Sequence, residues 1–353
     1  MSVVTSFSAD VLRIDAAAVA RELQDFLRET VFHRLRRKGV VVGISGGIDS
    51  SVVAALASRA LGAERVLGLM MPEADSSGDS ERLASALAST LGIQTVREDV
   101  TGILTAAGCY HRRDEAIRAV VPEYGDGWRC KIVLPDQITQ SGYAIFSIVV
   151  SSPSGEQSRV RLPLDAYLAI VAATNFKQRV RKMVEYHYAD RARYAVAGTA
   201  NRLEHDQGFF VKLGDGAADV KPIAHLYKSQ VYELAAFLGV PEEIRRRTPT
   251  TDTYPLEQTQ AEFYFGLSLE QTDLCLYALE HGVPPEEAAP AVGLTPEQVA
   301  RAFHVIESKR EAARYLHAPP VLFEPDVRLN PDTTNSGVRL KPDPTNSGGS
   351  VRL

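Results

Sequence analysis

The chain is poor in the features that mark exported and membrane proteins. Its three cysteines, Cys109, Cys130 and Cys275, include no Cys-x-x-Cys pair, which excludes a disulfide framework and is typical of a reducing compartment. No apolar run reaches the length that spans a bilayer, and residues 1–15 lack the charged start and apolar centre of a secretory signal. We therefore expect a cytoplasmic protein.

The chain also lacks an excess of positive charge. Its 39 lysines and arginines stand against 44 acidic residues, giving a formal net charge of -5, which argues against a general nucleic-acid binder. The eight histidines form no ligand-spaced cluster, and no Ser-His-Asp arrangement is suggested. With 45% hydrophobic and 24% charged residues, the composition indicates a globular protein with a sizeable core.

The segment from Val40 to Ser51 carries the strongest chemical pattern. A β-branched run ends in Ser45-Gly46-Gly47-Ile48-Asp49-Ser50, and an apolar helical pattern follows it. This order predicts a strand, a glycine-rich turn and a helix, with amides and hydroxyls that converge on the helix N-terminus and bind phosphate. The turn contains no lysine, so it is not a Walker-type loop. Asp49 is placed to hold a divalent cation beside the phosphates.

Strands and helices then alternate along the chain. The patterns predict strands over Val66–Met71, Ile93–Val96 and Tyr194–Ala197, and helices over Ala18–Arg36, Ser80–Leu91 (capped by Ser80) and Asp165–Arg191. Such alternation predicts a parallel sheet with helices on both faces. Ligands of these sheets bind at the carboxyl ends of the strands, where Ser45 and Thr199 are expected.

Two segments depart from this alternation. Within residues 106–164, runs over Tyr143–Ser151 and Ser158–Leu162 predict an inserted hairpin that either covers the site or decorates the surface. Residues 327–353 are a near-duplicated stretch rich in Pro, Asn, Ser and Gly, which we expect to be disordered. We therefore expect one catalytic domain over residues 1–326, with a helical C-terminal part over 256–318.

A second motif identifies the family that the chain resembles. The residues are Gly198-Thr199-Ala200-Asn201-Arg202-Leu203-Glu204, followed by Phe209-Phe210-Val211-Lys212-Leu213-Gly214-Asp215-Gly216-Ala217-Ala218-Asp219-Val220-Lys221-Pro222. Together with the Ser-Gly-Gly-x-Asp-Ser turn, they resemble the ammonia-dependent NAD synthetases, which are ATP pyrophosphatases of the PP-loop superfamily. The resemblance covers most of residues 16–326 apart from the hairpin.

The resemblance implies a fold and a reaction. The fold is a Rossmann-like (adenine nucleotide alpha hydrolase-like) parallel sheet with an inserted hairpin and a C-terminal helical extension. The reaction is the ATP-dependent amidation of deamido-NAD by ammonia, through an acyl-adenylate, with release of AMP and pyrophosphate. The family also implies a homodimer. No additional domain for glutamine hydrolysis is evident, so we expect free ammonia or a separate glutaminase subunit as the donor.

The resemblance also assigns roles to residues. The implied ATP-binding residues are Gly43, Ile44, Ser45, Gly46, Gly47, Ile48, Asp49, Ser50, Thr199, Lys228 and Thr250. The implied deamido-NAD residues are Arg179, Lys212, Asp219 and Lys309. Asp49 and Glu204 are the implied Mg²⁺ ligands, and Asp49 and Lys228 the catalytic pair. The chain departs from the sequence pattern of the family at Ser308, where a histidine is usual, and over residues 251–255.

Two alternative functions remain open from the sequence. One is a related PP-loop amide-forming ligase that adenylates a different carboxylate, which the departures from the family wording suggest. The other is an ATP-sensing DNA-binding regulator, because residues 283–299 resemble a helix-turn-helix whose second helix carries Arg301, Lys309 and Arg310. Glutamates on the same helix and the net acidic charge argue against the regulator.

Overall fold

A computed structural model describes residues 7–134, 138, 146–251 and 253–323. The strands are β1 (Val40–Gly43), β2 (Val66–Met70), β3 (Gln94–Arg97), β4 (Arg129–Val133), β5 (Ser147–Ser151), β6 (Gln157–Arg161) and β7 (Ala195–Ala197). The helices are α1 (Ala16–Arg28), α2 (Ile48–Leu61), α3 (Gly78–Leu91), α4 (Thr101–Ala106), α5 (Cys109–Arg118), α6 (Leu164–Ala192), α7 (Arg202–Gln207), α8 (Lys228–Leu238), α9 (Glu242–Arg246), α10 (Leu269–Glu280), α11 (Pro285–Val292) and α12 (Pro296–His317). The segments Glu29–Arg34 and Ala261–Phe265 are short π-helical turns.

The predicted parallel sheet is confirmed. Its strands lie in the order β3-β2-β1-β7, and all neighbours are parallel. Val40 of β1 pairs with Val66 of β2, and Val41 pairs with Val196 of β7. Because β1 and β7 are neighbours, the turn that follows β1 and the motif that follows β7 meet at one edge of the sheet.

Helices cover both faces of this sheet, and the all-valine centre of β1 shows why. Successive side chains of a strand point to opposite faces. Val40 and Val42 accordingly pack in one core cluster with α1, α2 and α8, whereas Val41 packs in another with Val180 and Val184 of α6. A strand that is buried on both sides needs a continuous apolar run, which β1 has.

Some predicted boundaries were wrong. Helix α3 begins at Gly78 and is capped by Ser77, whose hydroxyl accepts from the Ser80 amide, so Ser80 is not the cap. The predicted helix over Ala18–Arg36 is α-helical only to Arg28, after which π-type turns run to Arg34. Ser77 lies three residues before Ser80, and the sequence pattern of a helix cap fits either serine.

The insertion is larger than the predicted hairpin. Strands β5 and β6 do form that hairpin, but β4 adds a third antiparallel strand and α5 precedes it. Residues 143–145 of the predicted first strand lie outside the described residues. This small sheet packs on α6 through a core that includes Ile132, Ile148 and Ile170. Strand β4 was not predicted, because no short turn pattern joins it to β5.

The C-terminal part of the described chain is helical. Helices α10, α11 and α12 share a core cluster with α7, formed by residues such as Leu203, Leu274, Val299 and Ile306. Residues up to His317 belong to one compact unit. Residues 318–323 contain no helix or strand, and residues 327–353 lie outside the described part. Among the described helices, none is long and apolar enough to cross a membrane.

Candidate active site

A cavity of about 980 Å³ opens at the carboxyl ends of β1 and β7. Most of the predicted ATP-binding residues line it, namely Gly43, Ile44, Ser45, Gly47, Ile48, Asp49, Ser50, Thr199 and Thr250. Gly46 and Lys228 lie directly behind this lining, the first in the turn and the second bonded to Asp49. The cavity is therefore the place where the predicted nucleotide residues converge.

The turn after β1 is built to present helix α2 to an anion. Gly46 has a φ of +74°, and a Cβ there would lie 2.5 Å from the carbonyl oxygen of Ser80, so only glycine fits. Gly47 caps α2 without a side chain. The hydroxyls of Ser45 and Ser50 lie 3.2 Å apart and hold the turn closed. The first amides of a helix lack intrahelical acceptors, and this end attracts negative charge.

Two carboxylates and one ammonium form the charged centre of the site. Asp49 accepts a short hydrogen bond from the ammonium of Lys228 and a bond of 3.1 Å from Nδ2 of Asn201. Glu204 accepts from the backbone amide of Asn201 at 3.2 Å and from Nε2 of Gln260 at 3.0 Å. Asn201, the N-cap of α7, therefore holds both acids of the predicted metal site in place.

Burial and neighbouring charge perturb this centre strongly. Burial, and after it the charge of Asp49, raises the pKa of Glu204 to about 8. Burial favours the neutral form of Lys228, but Asp49 and Glu204 outweigh it and raise the pKa of the ammonium above its usual value. Perturbed groups that converge in a cavity are typical of functional sites.

The donor set at Asp49 and Glu204 fits Mg²⁺. Both ligands are hard oxygens, and Asn201 bonds to both carboxylates and so holds them on the same side of the cavity. Within the described part of the chain, no group of three or more His, Cys, Asp and Glu side chains is arranged to hold a metal. Two carboxylates that leave the remaining positions to phosphate oxygens and water are a usual arrangement for this ion.

The predicted dinucleotide residues divide into two groups. Lys309 lines the cavity, where its ammonium donates to the carbonyl oxygen of Tyr264 at 2.5 Å and burial lowers its pKa to about 8. Arg179 is exposed outside that lining, and its Nε donates to the backbone carbonyl of Lys212 at 3.3 Å. The structure thus brings Arg179 and Lys212 together, but apart from the phosphate turn.

Asp219 also lies outside the cavity lining. It is exposed, and its carboxylate accepts from the Val196 amide at 2.8 Å and from the Tyr186 hydroxyl at 3.3 Å. These bonds tie the carboxylate to β7 and to α6. Lys212 itself donates to the backbone carbonyl of Tyr315 at 2.7 Å.

Sequence reasoning missed the residue that positions Lys228. Asp273, fully buried on α10, accepts from the backbone amides of Lys228 and Ser229 at 3.0 and 2.7 Å. It thereby caps α8 from a distant helix. Burial raises the pKa of Asp273 to about 6. An acid within the apolar run of α10 was the only signal for this role.

Sequence reasoning also missed a buried charge network beside the cavity. Lys177, only 1% exposed, donates to Glu73 at 3.0 Å, to Asp75 at 2.6 Å and to the carbonyl oxygen of Thr253 at 2.8 Å. Arg113 of α5 also pairs with Asp75, at 2.5 Å. The network ties the segment after β2, the insertion and α6 to the segment that follows Thr250.

A second ion pair lies on another part of the wall. The ammonium of Lys182 lies 2.6 Å from Glu185, and both residues line the cavity with Asp215. Burial raises the pKa of Glu185 and that of Asp215. Asp215 accepts from the Val211 amide at 2.7 Å, which explains its place in the Gly-Asp-Gly sequence. The motif that carried the resemblance was the signal for it.

The helix-turn-helix pattern has a different role in the structure. Helices α11 and α12 do form, but the three basic residues of α12 that the pattern singled out make contacts within the fold. Arg310 pairs with Asp206 and with Glu280, both at 2.7 Å, and Arg301 donates to the carbonyl oxygen of Ile138 at 2.8 Å. These contacts, with Lys309 in the cavity, favour a packing role over a DNA-binding one.

Known proteins resemble the chain over nearly all of this structure. A curated relative from Rhizobium rhizogenes, called NH(3)-dependent NAD(+) synthetase, is 54% identical over 325 residues, 92% of this chain and 98% of the relative. A protein of the same name from Mesorhizobium japonicum is 57% identical over 312 residues, 88% of this chain and 98% of the relative.

A solved structure agrees in fold. The NH3-dependent NAD synthetase from Campylobacter jejuni, in complex with nitrate, superposes with a TM-score of 0.58 at 23% identity, covering 88% of this chain and all of that one. The family described as NAD synthase matches residues 19–121 and 154–314. The phosphate turn and the Asp49–Glu204 pair lie within the matched residues. The chain therefore belongs to the NAD synthase family.

Proposed function

We propose that the chain is an ATP-dependent carbon–nitrogen ligase that converts deamido-NAD to NAD with ammonia as the nitrogen donor. Its relatives at 54% and 57% identity are named for the ammonia-dependent reaction, and the aligned regions span 98% of each. The observation that carries the proposal is the convergence of the phosphate turn, Asp49 and Glu204 on one cavity, with Lys228 bonded to Asp49 behind the cavity lining. A cytoplasmic location stays a prediction from the sequence.

In the first step, a carboxylate oxygen of the nicotinate group attacks the α-phosphorus of ATP. The new P–O bond gives the acyl-adenylate, and the bond to pyrophosphate breaks. The turn and the start of α2 are suited to hold the phosphates in line for this attack. Lys228, whose ammonium is held on Asp49, supplies positive charge where the leaving pyrophosphate gains negative charge.

In the second step, ammonia attacks the activated carbonyl carbon. The C–N bond forms, the C–O bond to AMP breaks, and a proton leaves the nitrogen. Adenylation is needed because a free carboxylate has no good leaving group. The chain contributes positioning and charge stabilisation, with no covalent enzyme intermediate.

Mg²⁺ is the proposed metal, with Asp49 and Glu204 as its protein ligands. When bound, such an ion neutralises phosphate charge. The support is the hard oxygen chemistry of the two carboxylates and their place in the cavity lining. Asn201 and Gln260 hold both acids in position through hydrogen bonds.

We further propose a homodimer in which Arg179, Lys212 and Asp219 bind deamido-NAD. The support is the family resemblance and the location of these residues outside the cavity lining. The sedimentation coefficient of the purified chain tests the dimer. A monomer at micromolar concentration with full activity would contradict it.

The reaction is tested by measuring AMP, pyrophosphate and NAD with ATP, Mg²⁺ and ammonium, with and without deamido-NAD. We expect equal amounts of AMP, pyrophosphate and NAD, formed only when deamido-NAD is present. If other carboxylates support AMP release and deamido-NAD does not, the chain is instead a related amide-forming ligase.

A further inference from the structure

The insertion contributes directly to the active-site cavity. It lines the cavity with Ile132, Leu134, Ile138 and Phe146, and the same lining includes Tyr167 and Val171 of α6 and Phe263 of the π-helical turn. These seven residues of the wall are apolar or aromatic, while α6 also lines the cavity with charged residues such as Lys182 and Glu185. The NAD synthase family pattern does not match residues 122–153, so the part of this wall that holds Phe146 lies outside what the family shares.

Two aromatic rings form the centre of this wall. Phe146 and Tyr167 stack with centroids 3.9 Å apart and planes 13° from parallel. Both side chains are half-buried and both line the cavity, so part of each remains accessible from it. Accessible aromatic surface inside a deep pocket is where flat rings of ligands bind.

The wall is held rigidly relative to the charged centre. The carbonyl oxygen of Cys130 in β4 accepts a hydrogen bond of 3.1 Å from the Leu256 amide. The ammonium of Lys131, also in β4, lies 2.8 Å from the carboxylate of Glu262. The segment bonded in this way also contains Gln260, whose side chain donates to Glu204 at 3.0 Å. The insertion is therefore connected through one short segment to an acid of the proposed metal site.

We propose that Phe146 and Tyr167 form a further binding subsite for a flat heteroaromatic ring of a substrate. The inference rests on the proposed function for the identity of that substrate, since ATP and deamido-NAD both carry such rings. The subsite positions the ring by stacking and by excluding water, while the phosphates bind at the other, charged end of the same cavity.

The test compares Phe146→Ala, Phe146→Leu and Phe146→Tyr by calorimetric binding of ATP and of deamido-NAD, each ligand alone. We expect Phe146→Ala to weaken one of the two ligands at least about fivefold, as loss of ring stacking does elsewhere. Phe146→Tyr should bind within about twofold of the natural chain, because it keeps the ring. Phe146→Leu keeps apolar volume without a ring and should not restore binding.

Val160→Ala provides the matched control. Val160 lies on β6 of the same insertion, packs against the core of its sheet and does not line the cavity. It should leave both affinities unchanged, and the thermal melting of every variant is recorded to verify folding.

Unchanged affinity of Phe146→Ala for both ligands overturns the inference. So does a Leu variant that binds as well as the Tyr variant, or an equal loss in Val160→Ala. Failure of the proposed function would be visible separately, because the natural chain would then form no AMP from deamido-NAD and ammonia. The ATP binding measurements would still decide the role of Phe146.

Discussion

At the scale of single residues, Lys228 connects the chemistry of the site to its fold. The side chain is only 1% exposed, and its ammonium is bonded to Asp49 in the cavity wall. Its backbone amide is held by Asp273 from α10. A buried ammonium needs such partners because an unpaired charge in the interior is very costly. These two contacts hold both the backbone and the ammonium of Lys228 in place.

Glu204→Gln should abolish turnover with little cost to stability. Because burial raises the pKa of Glu204 to about 8, burial favours the neutral carboxyl when no metal is bound, and glutamine resembles that form. The variant cannot supply a carboxylate to Mg²⁺, so we expect kcat to fall at least about 100-fold. Turnover is measured at saturating Mg²⁺, with thermal melting alongside.

Asp49→Asn is the informative comparison. It removes the same charge but leaves the ammonium of Lys228 without its bonded carboxylate, so it should lose both turnover and stability. Near-normal turnover of either variant at saturating Mg²⁺ would rule out the metal assignment.

Arg179→Ala should raise the KM for deamido-NAD far more than the KM for ATP. The guanidinium is exposed and outside the cavity lining, and its planar set of donors suits phosphate groups. Steady-state kinetics with each substrate varied in turn measure the two values. Arg191→Ala, an exposed change on the same helix, should alter neither KM. Equal rises in both KM values for Arg179→Ala would indicate a general structural role instead.

At the scale of elements, the Lys177 network joins parts of the chain that no local pattern connects. Lys177 lies on α6, Glu73 and Asp75 follow β2, and Arg113 lies on α5. The bond to the Thr253 carbonyl extends this network to the segment that follows Thr250. The wall of the nucleotide cavity is therefore held by buried ion pairs as well as by apolar packing.

Lys177→Met should destabilise the chain by about 3–5 kcal/mol, because it removes the cation that the buried Glu73 shares with Asp75, while Asp75 keeps its pair with Arg113. The free energy of unfolding in urea measures this. Lys131→Met is the control, since that lysine pairs with Glu262 nearer the surface and should cost about 0–1 kcal/mol. Similar losses in the two variants would mean that burial does not set the strength of the network.

The elements that could be predicted from the sequence are those with local signals. The all-valine run of β1 and the turn with Gly46 each have a pattern within a few residues, and both are confirmed. The cap on α8 had no local signal, because Asp273 lies 45 residues away from Lys228. Strand β4 was missed although three of its five side chains are buried, because no short turn pattern joins it to its partner β5 as one joins β5 to β6.

At the scale of the whole molecule, the order of strands in the sheet assembles the site. Ser45 follows β1 and Thr199 follows β7, and both line the same cavity because those strands pair. The order of the strands in the sequence does not reveal that β1 and β7 are neighbours in the sheet. The helical C-terminal part then adds Lys309 and Gln260 to the cavity. The cavity is therefore lined by residues that are far apart in the sequence and that only the fold brings together.

The segment after Asp326 should be dispensable to that fold. It is a near-duplicated stretch with three prolines, Pro331, Pro342 and Pro344, and has no periodic apolar face, so it should bury little surface. A chain that ends at Asp326 should keep its kcat, both KM values and its melting temperature. Limited proteolysis of the full chain should cleave within this segment first, and mass spectrometry of the products identifies the cut. A fall of several degrees in melting temperature on truncation would show instead that the segment packs on the rest of the chain.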